Sequence, residues 1–533
     1  MSTDKSPHPD AVLSQDSHRS IIKSTSIISL GTLSSRILGF IRDIILAKLL
    51  GTGFRADAFF VAQKIPNLFR DLVGEGATNA AVVPVLAEYR DKKDPQEFWR
   101  FVSIVFTLGL ILLSVITILG IILAPWVVRL MAPGFIADPE KLSLTITLTK
   151  LIFPYLIFIG LTAYSMGILY TFRSFAYPAF SPCLLNISVI ISALISFKTM
   201  KEPVFGLAIG VLVGGLLQLL FQLKPMMSFG MRYERPKKLN HPGAIRIGKL
   251  LIPRMFGGGV YQISVFIDTF CASLSSIVGS GGISAIYYAN RIIQFPMGIF
   301  GVALASAVLP TFSGLANKKD YESMRKTVIF SLENIFFVMC PTTVILVLLS
   351  TPIIQTLFER GEFDAYSTQI TSSALLFSSL GLFSFGGIKI LVTVFHALQD
   401  TKTPVIVAAV CLVINTVLNF ILMWPLKVGG IALASSIAGT IDFLILFFIL
   451  DKRLGGLKSD LFGYFVKVTF AAFVTGIMEY LAWHYIQFDG QILRLCIIGT
   501  LGFVFYEFVC LSLKVEQAQK IAHFIQNGGK YTK

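Results

Sequence analysis

Charge is scarce in this chain of 533 residues. Lysine plus arginine number 45 and aspartate plus glutamate 30, together 14% of the residues, against about 25% in a soluble globular domain. With 54% of residues hydrophobic, that scarcity excludes both a water-soluble globular protein and a disordered one. Cysteine is nearly as uninformative. Cys183, Cys271, Cys340, Cys411, Cys496 and Cys510 stand singly in apolar segments, without the spacing of a disulfide framework, a zinc site or a dithiol redox pair, and read as packing residues. No GxxxxGK[ST] segment occurs, and no polar stretch is long enough for a nucleotide-binding domain. Gly279, Gly281 and Gly282 follow no strand pattern and read as an outer loop. The loops are short and poor in the acid clusters that metal or general-base chemistry needs, so no enzyme is expected.

What is present is a succession of apolar runs near the length of about twenty residues that crosses a hydrocarbon core. They predict an all-α polytopic membrane protein with about fourteen transmembrane helices, near 21–49, 56–86, 99–131, 142–170, 178–199, 203–225, 247–276, 283–313, 324–350, 365–397, 403–424, 428–450, 461–486 and 490–513. Basic residues gather in alternate loops: Arg90, Lys92, Lys93 and Arg100; Arg232, Arg235, Lys237 and Lys238; Lys318, Lys319, Arg325 and Lys326; Lys452 and Arg453. By the positive-inside rule both termini are cytoplasmic. The formal net charge of +15 is then mostly a topological signal with attraction to anionic membrane phospholipid, and implies no nucleic-acid partner.

The two halves repeat at a shift of about 224 to 227 residues. FFVAQKIPNLF at Phe59 falls over IYYANRIIQFP at Ile286, Pro84 on Pro310, Pro178 on Pro404, and Gly206-Leu207-Ala208 on Gly430-Ile431-Ala432. Six spans per repeat return the chain to its starting side, which predicts two six-helix lobes in a parallel pseudo-twofold repeat around a central cavity. The expected organisation is a disordered cytoplasmic leader at 1–20, an N-lobe at 21–226, a cytoplasmic linker at 227–246, a C-lobe at 247–453, two further helices at 454–513, and a cytoplasmic tail at 514–533 with an interfacial helix.

Several charges fall inside the apolar runs, where one at the centre costs about 2.5 to 3.5 kcal/mol on insertion scales. Asp57, Lys64, Asp71 and Glu75 share a stripe of roughly 40° at helical periodicity. Arg36, Arg42, Lys64, Arg70, Arg254, Arg291 and Lys389 outnumber the acids Asp43, Asp57, Asp71, Glu75 and Asp268, so the cavity is cationic. Arginine's planar fork matches phosphate oxygens, and a phosphorylated anionic head group is implied.

SSRILGFIRDIILAKLLG, ADAFFVAQKIPNLFR, EGATNAAVVPVLAEY, NRIIQFPMGIFGVALASAVLPTFS and ALQDTKTPV together resemble the MurJ (MviN) family of lipid II flippases, in the multidrug/oligosaccharidyl-lipid/polysaccharide (MOP) exporter superfamily. The resemblance runs from about Ile21 to Leu513. It implies export of the undecaprenyl-diphosphate-linked peptidoglycan precursor across a bacterial cytoplasmic membrane, and two C-terminal helices that shape a groove for the lipid tail. Carried over by motif, the essential cavity arginines match Arg36, Arg42, Arg70 and Arg291, with Asp43 and Asp57 as acidic neighbours. Some members have an acid where this chain has Gln294. A sodium ion in the second lobe would match Asp268, Asn415 and Asn419, with Ser435 beside them and Asn419 in place of a second acid. No other cofactor is expected. An ion gradient, the membrane potential or substrate flow must supply direction, the transport unit is expected to be a monomer, and cell-wall synthesis or division machinery are further partners of such a protein. The alternative is an exporter or scramblase of another anionic polyprenyl-linked glycan. A drug exporter would need an acidic, aromatic cavity, which the arginines argue against.

Overall fold

The structure, a computed structural model, describes residues 9–73, 75–487 and 490–526, without the side chains of 9–25, 71–81, 252–258, 458, 460 and 525. The expected sites at Arg254, Asp71 and Glu75 therefore lie outside the described side chains. Among the described residues every regular element is helical, as the sequence predicts.

One compact unit comprises the chain up to Leu46, Ala58–Leu130 and Pro139–Gly259. It holds most of α1 (Pro9–Leu50) and α2 (Phe54–Val73), then α3 (Glu75–Lys92), α4 (Pro95–Met131), α5 (Pro139–Ile152), α6 (Tyr155–Thr171), α7 (Ala176–Thr199), α8 (Pro203–Ser228) and the first part of α9 (Pro242–Ser273). Residues 9–20, expected in the leader, continue α1. Prolines open α4, α5, α8 and α9, where a missing N–H leaves no bond unmade. Gly206, Gly210 and Gly214 recur at a four-residue spacing on α8 and let it lie against Ser196, Ser192 and Leu185 of α7, and Ser188 donates to Gly210 O at 2.8 Å. Small residues that admit close backbone approach are what joins helices in lipid, where no hydrophobic effect does so.

At one end of this unit an aromatic cluster binds the stretch expected as the linker. Trp99 stacks on Phe172 at 5.6 Å, Phe172 on Phe229 at 4.8 Å, and Arg90 lies over the Phe172 ring and donates to Thr171 O. His241 stacks on Phe101 at 4.6 Å and its Nδ1 accepts from Gly243 N at 3.2 Å, closing the start of α9. Burial holds the His241 pKa below its ordinary value, helped by Arg100 and Lys93 and opposed by Glu97; the neutral ring is the form that can accept this bond. Arg246 reaches back from α9 to Glu88 at 2.7 Å.

The second unit comprises Ala47–Asp57, Met131–Asp138 and the chain from Val260. After α9 come α10 (Ser275–Val278), α11 (Gly282–Pro296), α12 (Ala303–Lys318), α13 (Tyr321–Leu348), α14 (Ser350–Phe358), α15 (Ala365–Ser379), α16 (Leu382–Ala397), α17 (Lys402–Leu426), α18 (Val428–Leu454), α19 (Leu457–Tyr485), α20 (Gln491–Ser512) and α21 (Glu516–Gln526). Between α11 and α12 a π-helical stretch, Met297–Val302, follows Pro296, whose missing N–H and ring loosen the helical ladder. Three aspartates start helices by the same local chemistry: Asp320 accepts from Ser323 N, Asp364 from Ser367 N and Asp400 from Thr403 N. At Asp400 the Thr403 bonds and then the Arg453 guanidinium hold the carboxyl down at about 2. α19 packs on α13 and α20, where Tyr464 donates to Glu333 O and Tyr506 to Phe337 O. In the tail, α21 docks through Gln517 on Glu333 at 3.1 Å.

Ten helical stretches among the described residues are long and apolar enough to cross a membrane, eleven if α15 and α16, bent by 45°, form one span. The count of fourteen needs three more: α1, α2 with α3, and α9. These are the helices that carry Arg36, Arg42, Asp43, Lys64, Arg70 and Asp268, so length and composition alone do not establish them.

Candidate functional site

In the first unit, α1 turns Ser35, Gly39 and Arg42 to one face at i, i+4 and i+7. Arg42 is only 6% exposed and Asp43 is fully buried. Arg42 Nε and Nη2 donate to Asp43 Oδ1 at 3.0 and 2.8 Å, and Nη1 donates to Asn186 Oδ1 of α7 at 3.0 Å. Neighbours in a helix do not normally face each other; here the long guanidinium side chain folds back over its own turn. Arg36 lies on another side of α1 and is exposed, while Lys64 and Arg70 of α2 are half-buried.

In the second unit, Asp57 is 2% exposed and accepts from Ser284 N at 3.0 Å and Ser284 Oγ at 2.6 Å, which caps the first turn of α11. That helix carries Arg291, half-buried, which donates to Tyr287 OH at 3.2 Å and Gln294 Oε1 at 3.5 Å. Gln294 thus stays within reach of the arginine although it brings no charge. Lys389 is exposed on α16. Asp268, Asn415 and Asn419 do come together: Asn419 Nδ2 donates to Asp268 Oδ1 at 2.8 Å and Asn415 Oδ1 at 3.2 Å, and Ser435 Oγ reaches Asp268 Oδ2 at 3.4 Å. Asn419 Oδ1 is buried with no hydrogen-bond partner among the described residues. No group of three or more His, Cys, Asp or Glu that could hold a metal occurs among them.

Sequence reasoning missed Asn186, Ser284 and Tyr287. Asn186 was signalled as a polar side chain within an apolar helix, whereas Ser284 in a loop-to-helix turn carried no signal that pointed to Asp57.

The family described as "Lipid II flippase MurJ" matches residues 46–499. The chain belongs to the MurJ family. A probable lipid II flippase MurJ of Vibrio cholerae serotype O1 is 37% identical over 435 residues, covering 80% of this chain and 82% of that protein. Among solved structures, a lipid II flippase MurJ in an inward closed conformation superposes with a TM-score of 0.77 at 29% identity, covering 91% of this chain and 99% of that one. An inward-facing multidrug resistance MATE family transporter of the MOP superfamily superposes with a TM-score of 0.67 at 17% identity, covering 80% of this chain and 96% of that one, and shows a shared fold. As a MurJ family member the chain is a multi-pass bacterial membrane protein with the helical fold of MOP transporters.

Proposed function

We propose that this chain flips lipid II, the undecaprenyl-diphosphate-linked disaccharide-pentapeptide, from the inner to the outer leaflet of the bacterial cytoplasmic membrane. The observation that carries the reading is the family match over residues 46–499, reinforced by a MurJ structure that covers 91% of the chain. The chain acts as a transporter and not as an enzyme, with both termini cytoplasmic, as a monomer among anionic phospholipids. Two six-helix lobes, residues 21–226 and 247–453, alternate access to the two sides, and the helices in 454–513 take the lipid tail.

The diphosphate is held by Arg36, Arg42, Lys64 and Arg70 from the first half and Arg254, Arg291 and Lys389 from the second, with Asp43 and Asp57 as acidic neighbours. Their excess of positive charge favours an oxyanion, and the fork geometry of arginine favours paired phosphate oxygens. The test is outer-leaflet lipid II in cells depleted of their own flippase and carrying the native chain or Arg291→Ala. Arg291 suits this test because it is half-buried and the bonds it makes to Tyr287 and Gln294 are to uncharged groups. Restoration by the native chain, reduced at least tenfold in the variant at equal membrane level, is expected. No restoration by an inserted native chain would leave another anionic polyprenyl-linked glycan as cargo, and equal restoration would remove Arg291 from the path.

Asp268, Asn415, Asn419 and Ser435 would hold a sodium ion. One carboxylate with amide and hydroxyl oxygens suits a hard monovalent cation, and Asn419 Oδ1, which has no hydrogen-bond partner among the described residues, is available as a ligand. A bound ion would couple transport to its gradient, in place of or beside the membrane potential. Sodium should raise the thermal midpoint of the purified protein relative to choline, by the ordinary mass-action stabilisation. The rise should vanish in Asp268→Asn; a rise that survives would place the ion elsewhere.

A further inference from the structure

Arg42 is gripped from a second helix, and the grip comes from a neutral group. Helix α1 crosses α7 so closely at Gly31 that an added Cβ would stand 2.7 Å from the Ala179 backbone. About two turns on, the space beside Gly39 is filled by the Asn186 amide, 3.6 Å from where a Cβ would be. Asn186 is 6% exposed. Its Nδ2 donates to Ser35 O at 3.1 Å and its Oδ1 accepts from Arg42 Nη1 at 3.0 Å. A carbonyl can only accept and a guanidinium can only donate, so these two partners fix which way the amide points. Asp43 takes the Nε and Nη2 edge of the guanidinium and Asn186 takes Nη1, so the plane of the fork is set from two helices.

We infer that Asn186 is the positioning residue that aims Arg42 at the diphosphate of the cargo, orienting the guanidinium without cancelling its charge. The inference rests on the proposed role of Arg42 in holding that diphosphate. An acid at this position would grip Arg42 harder but add a second negative charge beside that of Asp43; an apolar residue would take away the hold on Nη1. Asparagine supplies the acceptor for Arg42 and the donor for Ser35 with no net charge. Phosphate recognition by arginine depends on fork orientation as well as charge, so a loosened fork loses binding even where the charge stays.

The experiment is a double-mutant cycle on the purified full chain, reading lipid II affinity by native mass spectrometry together with the thermal midpoint. Asn186→Ala should weaken lipid II binding about tenfold, as when a misaimed fork loses one charge-assisted hydrogen bond to the diphosphate, beyond the lowering of the midpoint that loss of the Arg42 and Ser35 bonds brings. In an Arg42→Lys background, where there is no fork to aim, Asn186→Ala should cost little more. Asn186→Asp, nearly isosteric, should also weaken binding, because it adds negative charge beside Arg42; a residue that merely packs would tolerate that change. Equal losses from Asn186→Ala in both backgrounds, or a lowered midpoint with affinity intact, would make Asn186 a packing residue and overturn the inference. If the native chain and Arg42→Lys bind lipid II equally well, the diphosphate role of the Arg42 fork fails first, and that is visible without any change at Asn186.

Discussion

Cells that depend on Arg42→Lys are expected to show at least a tenfold loss of outer-leaflet lipid II, although the variant protein reaches the membrane at the native level. Asp43 is fully buried, and its carboxylate is bonded by two nitrogens of Arg42. Removing the cation altogether, as in Arg42→Ala, takes both of these bonds from a buried carboxylate, and breaking a buried pair from one side typically costs about 3 to 5 kcal/mol. The alanine variant should therefore also lose protein from the membrane, which confounds any reading of transport. Lysine keeps the charge and loses the fork. One ammonium cannot span Asp43 and Asn186 as the guanidinium does, nor present a planar pair of donors to a diphosphate. Quantifying the variant in membranes beside a label for outer-leaflet lipid II separates the two effects. Full transport by Arg42→Lys would mean that charge alone is needed at this position.

Gly281→Ala is expected to lower stability by about 3 kcal/mol or more, the sum of backbone strain and overpacking. Gly281 has φ of +80°, a conformation that alanine adopts only under strain, and a Cβ there would lie 2.1 Å from Thr52 O. The obstruction is backbone, so no rotamer change relieves it. Thr52 belongs to the short segment between α1 and α2 that the second unit holds, and the fit is tight on its other side too. Gly51, at φ of +58°, would place a Cβ 2.2 Å from Glu362 O, and Glu362 N donates to Lys48 O at 2.9 Å. Displacing Gly281 would also shift the start of α11, where Asp57 bonds Ser284. Gly248→Ala is the control: it lies within α9, has nothing among the described residues within 4 Å of an added Cβ, and should be neutral or slightly stabilising. Thermal midpoints of the two variants, compared at one scan rate because such unfolding is often irreversible, decide the matter. A midpoint for Gly281→Ala equal to that of the native chain would show that Thr52 can move aside at little cost.

Composition and periodicity determined the class of the protein. Apolar runs predict helices, and helices are what the described residues form, because a backbone in hydrocarbon must satisfy its own hydrogen bonds locally. The motifs around Arg42, Lys64 and Arg291 also pointed to the family, since they are contiguous and need no partner to be read. Helix starts at Asp320, Asp364 and Asp400 were equally local, each set by a serine or threonine three residues on. Partners far apart in the chain were decided only by the tertiary structure. Arg42 meets Asn186 across 144 residues, and Asp57 meets Ser284 across 227. Asp57, read from its helical stripe as an acid beside the cavity arginines, holds the first turn of α11, because that turn has unbonded N–H groups and lies where α2 begins. Helical periodicity says which side chains share a face, whereas the crossing of two helices decides what that face meets. At Gly31 and Ala179 the crossing depends on the absence of a single Cβ.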